Sequence, residues 1–353
     1  MITASNAQVT GIISARCACV IWPGAAGKSA SVFTHAVRRN PRLQRYSPIW
    51  RSPNAPGKRT MVRRRIKNKP DRHLYKQGGM CKEIHTVGNL LGYKDLPQEI
   101  VNQINSVVAI WKKHVGEDLI GVYLHGSIAL HAFRPESGDI DLLIVVKDSI
   151  ETERKLEIAR DIIEIDGKPC PLEISAIKQT DAMNWKTPGN CVFHYSDFWT
   201  AKYMERFENP DFEVYVADHE FPDADVTSYI RLLTQCGIVL YGRKIEEVFA
   251  DVSDEDFWSA ISADVDEYDF HAYNARYFAS NVLILGRILS FKKEKRILSK
   301  YEGGLWMRKN VPENLQYLPE LAMKIWFEGE EHILPEEDLD QLRDYLVREI
   351  KAP

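Results

Sequence analysis

A chain of 353 residues, 44% hydrophobic and 27% charged, is long enough for two modest domains. Its formal charge of -4 hides a split: residues 1–79 hold sixteen Lys or Arg against one acid, Asp71, whereas residues 80–353 carry thirty basic and forty-nine acidic side chains. The acidic body argues against a broad nucleic-acid footprint and leaves room for a small polycationic partner, and the lack of an eighteen-residue apolar run excludes an ordinary transmembrane helix.

The first 79 residues scatter Pro, Gly and basic residues without periodicity. They read as a disordered basic extension, with two alternatives: translation assigned to a start codon placed too early, or a leader or nucleic-acid-binding arm. Globular composition begins at Met80, and two domains are expected, over 80–223 and 224–353. Cys17, Cys19, Cys81, Cys170, Cys191 and Cys236 show no CxxC spacing, so neither a zinc site nor a disulfide scaffold is indicated. A reducing cytoplasm suits them, with Cys236 as a small core residue.

From Leu96 the periodicity predicts a helix to Gly116, with Ile100, Ile104, Val107, Val108 and Trp111 on one face. Strands follow over Leu119–Leu124 and Ile140–Val146, then a helix over Ile150–Ile165, a strand over Cys170–Ile177 and a short helix over Tyr195–Phe207. Phe212–Ala217 has the makings of an edge strand. This order describes a compact α/β domain with a small mixed sheet. Longer helical patterns succeed it, over Val226–Leu240, Asp254–Asp264, His271–Lys292, Leu315–Glu328 and Glu336–Ile350, which predict a mostly helical second domain.

The chemistry concentrates in Gly121–Lys147. Asp139 and Asp141 are two residues apart at the mouth of a strand, so they project from one face. The run Leu142–Val146 is too apolar for an exposed strand, and two like charges at a buried strand end are costly unless a cation neutralises them. Mg2+ carrying substrate phosphates is the common solution. Glu173 lies in the next strand with Leu172 and Ile174 facing the other way. Were the two strands neighbours, three carboxylates would converge, and Glu173 could take a proton from an attacking hydroxyl. Gly126-Ser127, after an apolar strand and thirteen residues before Asp139, suits a tight turn that brings backbone N–H groups and a hydroxyl to phosphate. Neither a P-loop nor a GxGxxG site is present. The bland alternative is a solvated rim of charge.

Gly126-Ser127, then Asp139-x-Asp141, with Glu173 on a later strand, resembles the polymerase-beta-like nucleotidyltransferase superfamily. Over about residues 96–328 the chain is similar to the aminoglycoside adenylyltransferases that modify streptomycin and spectinomycin. Asp225–Gly242 resembles that family's joining segment, Asn281–Arg287 its central helix, and Ser299-Lys300 before Gly304-Leu305-Trp306 its Ser-Lys turn. The resemblance implies an N-terminal nucleotidyltransferase domain and a helical C-terminal bundle, with Mg-ATP and antibiotic meeting between them. It implies metal ligation by Asp139, Asp141 and Glu173, Glu173 doubling as catalytic base, and phosphate contacts from Ser127, Arg287 and Lys300. A cationic aminocyclitol acceptor and a monomeric enzyme are expected. Departures are visible. His131-Ala132 stands where the family has two small glycines, no carboxylate precedes Asn281, the Trp-Arg-Tyr-Pro segment reads Trp185-Lys186-Thr187-Pro188, and the aromatic covering streptomycin falls at Phe198 or Trp199. Asp264, Asp266 and Glu267 are candidate contacts for a cationic acceptor. Two other functions fit the motif: nucleotidyl transfer to a protein or RNA acceptor, and a catalytically silent binding protein on the same fold.

Overall fold

The computed structural model describes residues 90–271, 274–332 and 334–353. The extension expected over 1–79, the domain start at Met80, and Cys17, Cys19 and Cys81 lie outside these residues.

Helix α1 (Gln98–Val115) buries Ile100, Ile104, Val107 and Trp111, the face that the three-to-four spacing predicts, and ends at Gly116, whose φ of 63° few side chains tolerate. Strand β1 (Leu119–Leu124) runs into a single helical turn, α2 (Gly126–Ala129). Strand β2 (Ile140–Val146), helix α3 (Thr152–Ile165) and strand β3 (Leu172–Lys178) follow. Next come β4 (Gly189–Cys191), β5 (Phe193–Tyr195), α4 (Asp197–Glu208), β6 (Phe221–Asp223), α5 (Asp225–Cys236) and β7 (Ile238–Gly242). The main sheet has the order β5-β3-β2-β1-β7, and β4 pairs with β6 in a separate ribbon. Strands β2 and β3 are parallel; their other neighbours run antiparallel, so the sheet is mixed as expected.

Strand β2 is buried along its whole length because both faces are covered. Leu142, Ile144 and Val146 join the core that includes Ile104 and Trp111 of α1 and Ile158 and Ile162 of α3. Leu143 and Val145 pack on the opposite face with Val226, Tyr229, Ile230 and Leu233 of α5. A strand enclosed on both sides loses the polar alternation of a half-exposed one, which accounts for the unbroken apolar run.

Two local expectations change. The helix predicted over Val226–Leu240 stops at Cys236: Gly237 caps it, and Ile238-Val239-Leu240 extends instead as edge strand β7, placed beyond the composition change at 223/224. Phe212–Ala217 is not a strand. Its end forms a helical turn, Tyr215–Asp218, because the Asp218 carboxylate accepts the Val214 N–H (2.7 Å) and pairs with Arg206.

The C-terminal part is helical: α6 (Asp254–Ser262), α7 (Ala275–Glu294), α8 (Lys300–Asn310), α9 (Tyr317–Met323) leading into a π-helical turn at Lys324–Glu328, and α10 (Glu336–Lys351). Helix α7 starts at Ala275, later than the pattern suggests, because the Asn274 side chain accepts the Tyr277 N–H and caps it there. It is the axis of the second core, with Phe278, Val282, Leu285 and Leu289 fully buried. Helix α8, with two internal glycines, opens directly after Ser299. A reciprocal capping box between Ser299 and Glu302 starts it. Its glycines permit close packing, since a Cβ at Gly304 would stand 2.6 Å from Met323 and one at Gly303 2.9 Å from Arg287. Among the described residues no helix is long and apolar enough to cross a membrane.

Candidate active site

The parallel register of β2 and β3 sets Asp141 beside Glu173. Residues paired in register point to the same face, and Asp139, two before Asp141, shares it. One carboxylate oxygen from each of Asp139, Asp141 and Glu173 lies within 4.8 Å of the others. Asp141 and Glu173 are buried to 4% and 3% exposure. Burial pushes the Asp139 and Asp141 carboxyls above the ordinary aspartate value; for Asp141 the Asp139 charge adds to the rise.

Opposite the carboxylates stand two cations from the helical part, Arg287 of α7 and Lys300 at the start of α8. Lys300 draws both aspartate pKa values down and Arg287 that of Asp141, but neither reverses the effect of burial. The Arg287 Nε–H donates to the Leu298 carbonyl (2.8 Å), which fixes the guanidinium root. The Lys300 ammonium donates to Ser280 Oγ (3.3 Å) and sits 3.9 Å above the Trp326 ring.

Gly126 opens the turn at φ 64°, and a Cβ there would lie 1.8 Å from Asp141 Oδ2. Both constraints make glycine the residue for this position. The Ser127 N–H donates to the Asp141 carboxylate. His125 directly follows β1, and burial drives its imidazole pKa down to about 3, so it is neutral. Ser127 Oγ, Asp139 Oδ2 and His125 Nδ1 are buried without a hydrogen-bond partner among the described residues, in the walls of one cleft. Buried polar atoms left unpaired at one place mark where a polar ligand would complete the site. An all-oxygen acidic set suits a hard divalent ion, and the three carboxylates fit Mg2+ on that ground.

All seven residues singled out in the sequence, Gly126, Ser127, Asp139, Asp141, Glu173, Arg287 and Lys300, therefore meet around this cleft. The acceptor candidates fare differently. Asp266 pairs with Lys351, and neither it nor Asp264 or Glu267 lines the cleft. Trp199 is buried and Phe198 half exposed, both beneath the Lys202 ammonium. Asp197, just before them, comes close enough to raise the Asp139 carboxyl. His131 keeps φ at 54° without being glycine, and its ring occupies the space above Gly92.

Three contributors carried no signal of their own in the sequence. Arg276 donates to the Ser137 carbonyl (3.1 Å), covers Trp326 at 4.4 Å and lowers the Asp139 carboxyl. Trp326 is 7% exposed and packed in the second core, yet it lines the cleft from the π-helical turn. Tyr229 looks like one more apolar position of α5, but its hydroxyl donates to Glu173 Oε1 at 2.9 Å.

Residues 105–188 match the model of the polymerase beta nucleotidyltransferase domain, and residues 247–349 that of the C-terminal domain of aminoglycoside adenylyltransferases. The two matched segments together resemble the domain pair of aminoglycoside adenylyltransferases. The chain is similar to the aminoglycoside (3'') (9) adenylyltransferase of Shigella flexneri, 22% identical over 259 residues that cover 70% of this chain and 92% of the relative. It is 30% identical to the spectinomycin 9-adenylyltransferase of Campylobacter jejuni over 117 residues, which span 32% of this chain and only 45% of that enzyme. The fold is that of spectinomycin adenyltransferase AAD(9) from Enterococcus faecialis, solved with ATP and spectinomycin: the TM-score is 0.62 at 22% identity, covering 71% of this chain and 99% of the other.

Proposed function

We propose that the chain transfers AMP from ATP to a hydroxyl of an aminocyclitol antibiotic of the streptomycin or spectinomycin type and releases pyrophosphate. The observation that carries this reading is the acidic triangle of Asp139, Asp141 and Glu173, within 4.8 Å, facing Arg287 and Lys300 across one cleft. The matched C-terminal domain and the activities of the similar adenylyltransferases favour adenylyl transfer and a small cationic acceptor.

Mg2+ held by the three carboxylates would neutralise them and polarise the triphosphate. Ser127 and the backbone N–H groups of the Gly126 turn receive phosphate oxygens, and Arg287 and Lys300 hold the outgoing pyrophosphate charge. Glu173 takes the proton of the acceptor hydroxyl as its oxygen bonds the α-phosphorus; the bond to the bridging oxygen breaks, and its electron pair leaves with pyrophosphate. Most of the acceleration comes from position and preset charge. The acceptor would be bound differently from the pattern in which a carboxylate precedes Asn281, because Phe278, Ala279 and Ser280 occupy those positions and are fully buried.

The test is mass measurement of spectinomycin, streptomycin and related aminocyclitols after incubation with the purified protein, ATP and Mg2+. A product heavier by one AMP group, absent with Asp139→Asn, is expected. If none of these compounds is modified while wild-type protein still binds Mg-ATP, the acceptor assignment fails.

A further inference from the structure

Glu173 sits at the end of three rotatable side-chain bonds, so its pairing with Asp141 in the sheet does not by itself decide where its oxygens point. A closed set of contacts does. Tyr229 of α5, 56 residues along the chain, donates its hydroxyl to Glu173 Oε1 at 2.9 Å. The Tyr229 ring lies flat on the His125 imidazole, centroids 4.5 Å apart at an interplanar angle of 22°. His125 donates its backbone N–H to the Asp141 carbonyl at 3.1 Å, and Asp141 is the register partner of Glu173. The loop from Asp141 through His125 and Tyr229 to Glu173 thus ties both ligand-bearing strands to α5. His125, Tyr229 and Glu173 are all nearly inaccessible to water, which strengthens the Tyr229 bond to the Glu173 oxygen.

We propose that Tyr229, held flat by His125, is a positioning residue that sets the rotation of the Glu173 carboxylate and thereby the affinity of the acidic triangle for its divalent ion. The inference rests on the metal reading above and adds a determinant outside the ligand set. Groups that orient a metal ligand typically change affinity or activity by about 10- to 100-fold when removed. Tyr229→Phe deletes one oxygen and keeps the ring on His125.

The experiment titrates Mn2+ alone into full-length wild-type, Tyr229→Phe and His125→Ala proteins, followed by calorimetry or electron paramagnetic resonance, with thermal midpoints recorded in chelator. Tyr229→Phe is expected to raise the Mn2+ Kd by about 10- to 100-fold. His125→Ala, which frees the ring to tilt, is expected to raise it by a smaller factor. In turnover assays excess Mg2+ should recover part of the activity lost in Tyr229→Phe, a response that loss of packing would not give. Mn2+ affinity in either folded variant equal to wild type overturns the proposal. Wild-type protein that takes up no Mn2+ is a separate result, and it removes the metal reading together with the inference.

Discussion

Asp141→Asn gives opposite answers with and without metal. Asp139 and Asp141 offer oxygens within 4.8 Å, and at an effective dielectric of about 20 two full charges at that distance repel by roughly 3 kcal/mol. Lys300 and Arg287 offset part of this, yet both aspartate carboxyls remain raised above the ordinary 3.8. A raised folded-state pKa means that the folded chain binds more protons than the unfolded one. Stability is therefore lost as pH climbs from the unfolded value through the folded one, and the penalty is complete above both. Asn keeps the shape and an oxygen for the Ser127 N–H while removing one charge. In chelator at neutral pH the variant should be more stable by about 1–3 kcal/mol, or roughly 2–10 °C in thermal midpoint for a domain of this size. Its stability should also fall less than that of wild type between pH 4 and 7. With Mg2+ and ATP it should neither turn over nor gain the stabilisation that binding confers on wild type. Thermal and urea unfolding across pH, with and without Mg2+, reads all of this. An Asn variant less stable than wild type in chelator by more than about 1 kcal/mol would show that the carboxylate supports the fold, and would refute the reasoning.

Other outcomes follow from single contacts. Gly126→Ala and Gly167→Ala both force a side chain onto a positive φ, but only at Gly126 would the new Cβ meet a neighbour, Asp141 Oδ2. Each should lose about 1–2 kcal/mol to backbone strain, and Gly126→Ala a further 1–3 kcal/mol by overpacking, together with its Mn2+ affinity. Equal midpoints and equal affinities in the two variants would refute the close approach. Lys300→Gln removes a cation facing the aspartates, and should lower turnover at saturating ATP by about 10²- to 10³-fold with the fold intact. Steady-state kinetics beside a circular-dichroism melt checks it, and a change confined to KM would mean that Lys300 acts in ground-state binding alone.

Periodicity made most of the fold legible. Helix α1 and the long C-terminal helices appear near their predicted places because each buries one defined stripe, and strands β1 to β3 because their apolar runs are enclosed in the sheet. The failures have local causes. Gly237 and Asn274 moved helix ends by capping, and Asp218 turned a predicted strand into a helical turn.

What the amino-acid order determined by itself was the side-chain chemistry at the cleft and the faces on which it would fall. Two carboxylates spaced by two, a glycine-serine turn ahead of them, and an apolar strand behind them leave few physical alternatives. Tertiary structure alone decided the neighbours. Nothing local says that β2 and β3 pair in parallel with Asp141 against Glu173, that Trp326 lines the cleft with Arg276 over its ring, or that Tyr229 turns its hydroxyl onto Glu173. Spacing along a chain reports direction within one element. Register and the packing of a helix on a sheet depend on the whole set of buried surfaces, and so they emerge only when the chain closes on itself.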